Sequence, residues 1–151
     1  MRENPKPSER LIVALDFSDP ARAEALVARL GSAVSFYKIG MELAFSGDAS
    51  NNGFTLADRL IAQGKKVFMD LKLHDIPNTV TRATAALARR GYEFLTIHAY
   101  PPTMAAANQG VAGTALKLPL KAPTGVRAAP AMTISVIEVS SCWGFELAYR
   151  L

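Results

Sequence analysis

The residue types best suited to chemistry crowd into Asp70-Leu71-Lys72-Leu73-His74-Asp75, where two carboxylates, an ammonium and an imidazole fall within one short segment. These are groups that move protons and stabilise developing charge. Side chains on an extended strand alternate faces with period two. A strand over 66–73 therefore sorts Val67, Met69, Leu71 and Leu73 onto an apolar face, and Phe68, Asp70, Lys72 and His74 onto the other. Both faces of a parallel sheet are normally buried, so Asp70 and Lys72 would be charges removed from water that need partners. Asp75, just past the strand, offers a further carboxylate. A structural ion pair and a catalytic cluster both satisfy this pattern.

Neighbouring segments place polar groups at the same level. Asp16 ends an apolar run at 11–16, Lys38 lies near the end of one at 34–39, and His98 closes one at 94–98. Ligand sites of parallel α/β folds form at the carboxyl ends of strands, so polar residues recurring there read as the floor of an active site. Chance polar strand ends are the alternative.

Those strands alternate with helices. Ser18-Asp19-Pro20 offers an N-cap and a proline for the first helical position, and Leu26, Val27 and Leu30 give one buried stripe ahead of a stop at Gly31. A loose Gly, Ser and Asn stretch covers 46–53. Further helices are expected over 55–63, stopped by Gly64, and over 79–90, stopped by Gly91. Alternation with short connections predicts a parallel sheet covered by helices, either doubly wound or a (β/α)8 barrel. Four strands in about a hundred residues are half of such a barrel, which takes roughly 250.

Composition narrows the function classes. A chain of 151 residues that is 50% hydrophobic fits one globular unit. A single cysteine, Cys142, excludes a disulfide framework and suits a reducing, cytoplasmic setting. The 1–10 tail is polar and lacks the apolar core of a secretory signal, and no run approaches membrane-spanning length. The net charge of +4 is scattered without interleaved aromatics, so no nucleic-acid partner is expected. His74 and His98 lack paired metal-ligand spacing, and no glycine-rich phosphate fingerprint occurs. Lys65-Lys66 reads as a solvated strand entry, and His74 and Met41 as packing or loop residues.

The blocks Leu11-Ile12-Val13-Ala14-Leu15-Asp16, Phe36-Tyr37-Lys38-Ile39-Gly40, Phe68-Met69-Asp70-Leu71-Lys72-Leu73-His74-Asp75-Ile76-Pro77-Asn78-Thr79-Val80 and Leu95-Thr96-Ile97-His98-Ala99 resemble, in order, those of bacterial orotidine 5'-phosphate decarboxylases. The D-x-K-x-x-D core alone also fits related sugar-phosphate decarboxylases of the same superfamily. Its extension through Asp75-Ile76-Pro77-Asn78-Thr79 points to the orotidylate enzyme. The resemblance implies a (β/α)8 (TIM) barrel that works as a homodimer without metal or organic cofactor and converts orotidine 5'-phosphate to UMP and CO2 in pyrimidine biosynthesis. It further implies that Asp70 lies against the substrate carboxylate, Lys72 delivers the proton and Lys38 completes the charge network. Asp16 would contact the ribose, Asp75 and Thr79 would reach the neighbouring subunit's site, and Ile76 and His98 would line the substrate.

The resemblance covers 11–116. Beyond Leu116 a segment at 117–151, with proline and basic residues between 119 and 127, follows no family pattern, although 132–139 has strand character. Its abrupt onset near Lys117 is read as a change of reading frame, leaving the first four or five βα units of a truncated barrel. Barrel phosphate sites usually follow strands seven and eight, so the grip on the substrate phosphate is expected to be missing and turnover impaired. Two sheet edges would also be left exposed. A decarboxylase with an altered second half and a non-catalytic remnant that only self-associates are the two outcomes this sequence allows.

Overall fold

Asp19 and Asn52 start two of the helices through their side chains, and Gly31 stops the first of them. The computed structural model describes residues 11–112, 134–135 and 146–150. The tail at 1–10, the boundary at Leu116, the basic stretch at 119–127 and Cys142 lie outside the described residues. The chain divides into two compact units, Met1–Asp70 and Leu71–Leu151.

In the first unit, β1 (Val13–Ala14) leads to α1 (Pro20–Leu30), a 3-10 turn (Gly31–Ala33), β2 (Phe36–Gly40), a short α2 (Met41–Ala44), α3 (Gly53–Ala62) and the start of β3 (Lys66–Leu73). The Asp19 carboxylate accepts the Ala21 N–H ahead of Pro20, and Gly31 ends α1 with φ of 54°. Asn52 and Thr55 form a reciprocal capping box, which starts α3 two residues earlier than the sequence pattern suggested. The preceding loop is tied by Asp48, whose carboxylate accepts from Ser50 and Asn51. Those bonds hold its acid strength above that of an ordinary aspartate.

β1 and β2 are parallel, as are β2 and β3, with Ala14 opposite Lys38 and Gly40 opposite Asp70. Leu15, Tyr37, Ile39, Val67 and Met69 are fully buried. The Tyr37 hydroxyl donates to the Val34 carbonyl, and burial pushes its pKa up. Lys65 departs from its solvated reading. Its ammonium donates to the carbonyls of Gly31 at 2.6 Å and Val34 at 2.8 Å, closing the turn that joins α1 to β2.

The second unit contains the end of β3, α4 (Pro77–Ala88), β4 (Phe94–His98), α5 (Pro101–Ala112), β5 (Ile134–Ser135) and β6 (Glu146–Arg150). Val80, Ile97, Ala106 and Ala107 make a core cluster, with Leu73 and Met104 packed on it. Helix α5 was not expected from periodicity, because alanines supply much of its apolar surface and define no stripe. Its contact with α4 is backbone-close: Thr81 Oγ1 donates to the Ala106 carbonyl at 3.0 Å, and Gly110 lies against the Thr81 carbonyl and 3.0 Å from Thr84 Cβ as measured from where its own Cβ would stand. A Gly110→Ala variant gains helix propensity of about 1 kcal/mol but forces these helices apart. A net loss of about 1–2 kcal/mol is expected in urea denaturation; unchanged or higher stability would show that the close approach is not required.

The sheet stays open, ending at β1 on one side and at β5 on the other, so β4 is not itself an edge. β4 pairs antiparallel with β6 along its whole length, from Phe94 opposite Arg150 to His98 opposite Glu146, and β6 pairs antiparallel with β5. Within 132–139, where strand character was expected, the described residues Ile134–Ser135 form β5. No helix among the described residues is long and apolar enough to cross a membrane.

Candidate active site

Three parallel segments of the first unit carry a carboxylate, an ammonium and a carboxylate to one place. Lys38 Nζ lies 3.2 Å from Asp16 Oδ1 and 3.4 Å from Asp70 Oδ2. The register explains it: Lys38 is paired with Ala14, two residues before Asp16, and Asp70 with Gly40, two residues after Lys38. The side chains grade from 67% exposed at Asp16 through 24% at Lys38 to 11% at Asp70. Asp70 is the group that most needs its partner, since a carboxylate withdrawn from water is tolerated only when it is paired and hydrogen-bonded.

In the second unit Lys72 stands out by its backbone. It has φ of 50°, which no other non-glycine described residue shares in sign. That left-handed conformation costs a residue with a side chain about 1–2 kcal/mol and collects at functional sites, where surrounding structure enforces it. Both faces of β3 are buried from Val67 to Leu71, and the left-handed residue lies within the strand, just before its end at Leu73. The Lys72 N–H donates to Thr96 Oγ1 at 2.8 Å. Thr96, on β4, is 4% exposed.

His74 and His98 have their rings 4.9 Å apart and tilted by 46°, and Tyr100 meets His74 edge-on at 5.7 Å. His74 Nδ1 is 3.2 Å from the buried Thr103 hydroxyl at the start of α5. Sequence reasoning treated His74 as a packing residue, and it does pack, but against the other histidine. Asp75, Ile76 and Thr79 are exposed at the entry to α4, where Asp75 Oδ1 accepts the Ile76 N–H at 2.6 Å. Thr96 and Thr103 were missed. The signal for Thr96 was a hydroxyl between Leu95 and Ile97 in an otherwise apolar strand, because a buried hydroxyl needs a partner.

Chemically, the Lys38 triad is a fixed array of charge, two carboxylates to one ammonium, that can orient a second ammonium. The described residues contain no group of three His, Cys, Asp or Glu side chains fit to hold a metal ion. The family model for orotidine 5'-phosphate decarboxylase / HUMPS matches residues 9–149. The chain belongs to this family. An orotidine 5'-phosphate decarboxylase of Bradyrhizobium sp. (strain BTAi1) is 59% identical over 112 residues, which are 74% of this chain and 44% of the relative. The crystal structure of orotidine 5'-phosphate decarboxylase from Lactobacillus acidophilus superposes with a TM-score of 0.60 at 39% identity, covering 71% of this chain and 47% of that one. The orotidine 5'-phosphate decarboxylase of Pyrococcus horikoshii OT3, at 24% identity and TM-score 0.55 over 66% of this chain and 47% of its own, shows the same fold. The (β/α)8 expectation is thus borne out at the level of fold. Within this orotidine 5'-phosphate decarboxylase / HUMPS family, the chain spans about half the length of the curated relatives it matches.

Proposed function

We propose that this chain carries the reacting residues of an orotidine 5'-phosphate decarboxylase, acting as a cytoplasmic homodimer. The observation that carries the reading is the bridging of Asp16 and Asp70 by Lys38 on successive strands, with Lys72 following in the D-x-K-x-x-D motif. The bond from a ring carbon to the substrate carboxylate breaks, CO2 leaves, and the electron pair stays on that carbon. Lys72, charged, stabilises the carbanion and then transfers an ammonium proton to it, giving UMP; water restores the lysine proton. Asp70 faces the departing carboxylate, and Lys38 holds Asp70 in place while Asp16 engages the ribose. His98 and Ile76 support the substrate. Asp75 and Thr79, exposed at the start of α4, serve the partner's site. The names of the curated relatives favour this substrate over a sugar phosphate. Residues 11–116 hold these groups.

Purified protein incubated with orotidine 5'-phosphate should release UMP and CO2 in equal amounts, far more slowly than a full-length relative, and sediment as a dimer. Folded protein that yields no UMP would overturn the proposal for this chain.

A further inference from the structure

We propose that Thr96 is a positioning residue for Lys72: its buried hydroxyl fixes the lysine backbone in the left-handed conformation that sets where the ammonium stands. The functional part of this inference rests on the reading of Lys72 as proton donor. An N–H in a parallel strand ordinarily serves the ladder, and where a residue departs from extended geometry its N–H needs another acceptor. At Lys72 that acceptor is Thr96 Oγ1, 2.8 Å away and held on β4 between the fully buried Leu95 and Ile97. Rotation of φ from the left-handed to the extended region swings Cβ about the backbone and carries the whole lysine side chain with it. A proton donor works only within hydrogen-bond reach of its target. Thr96 therefore acts on the reaction through Lys72 and touches no substrate.

The experiment compares Thr96→Val, which keeps the shape and removes the oxygen, with Thr96→Ser, which keeps the oxygen, in the full chain. Lys72 Cα and Cβ NMR shifts report its backbone conformation, amide exchange reports the bond, and orotidine 5'-phosphate turnover reports the chemistry. Wild type and Thr96→Ser should show left-handed shifts and a protected Lys72 amide. Thr96→Val should show extended shifts and Lys72 exchange about tenfold faster, with kcat lowered about tenfold or more and KM little changed. If Thr96→Val does not fold, Thr96→Ala, which adds no volume, is read in its place. Left-handed shifts that survive loss of the hydroxyl, or equal loss of kcat in the serine and valine variants, overturn the inference. Shifts that move as expected in a protein without wild-type turnover uphold the positioning role and refute the proposed reaction.

Discussion

Lys72→Ala is expected to lower turnover of orotidine 5'-phosphate by about a thousandfold or more while UMP binding remains measurable by calorimetry. The size follows from the two tasks assigned to one ammonium. General acid catalysis contributes about 10²–10⁴-fold, and a fixed charge facing a developing carbanion adds about 3 kcal/mol on the scale of a single preorganised donor. Both act in the transition state, so kcat should fall rather than affinity. The backbone supplies a control within the same position. Lys72→Gly would adopt φ of 50° without strain, so a glycine variant should be as inactive as the alanine one and more stable. Near-normal turnover in either would remove Lys72 from the chemistry.

Lys38→Ala should be more destabilising than Asp16→Ala, by about 2 kcal/mol, because it removes a cation 3.4 Å from a carboxylate whose side chain is only 11% exposed. Asp16→Ala should cost less than about 1 kcal/mol, since that carboxylate is 67% exposed and its pairing is screened by water. Urea denaturation of the two variants separates these cases, and equal losses would mean that burial of Asp70 is not what makes Lys38 necessary. A Lys38→Met/Asp70→Leu double variant tests the same point from the other side. Replacing a buried pair with apolar groups of similar size is often neutral or better, so it should recover most of the stability while losing all activity.

The catalytic strand and its flanking elements were legible because each obeys a short-range rule. Lys66–Leu73 and Phe94–His98 were bounded as the structure has them, from apolar runs between turn residues. Asp19 and Gly31 marked the ends of α1 through capping chemistry that is local by nature. The Asp16–Lys38–Asp70 triad was legible only as three polar strand ends; the sequence held no statement of the register that brings Lys38 within reach of both carboxylates. Three features were illegible for physical reasons. Helix α5 has no apolar stripe because Gly110 and its alanines pack by closeness rather than by size. The N–H of the left-handed Lys72 is met by a hydroxyl 24 residues away in sequence. The interaction of Lys65 with Gly31 and Val34 is also long-range, and a paired lysine in a list of charges looks solvated until its carbonyl partners are known.

The antiparallel strand beside β4 has a meaning for reconstitution. In a (β/α)8 barrel the strand after β4 joins it in parallel, yet here the ladder positions from Phe94 to His98 are already satisfied by Glu146–Arg150 running the opposite way. A fragment supplying later barrel strands in trans could not simply dock on that flank. It would have to peel β6 away first, exchanging one set of backbone bonds for another, so association would be slow and set by the opening of this strand rather than by collision.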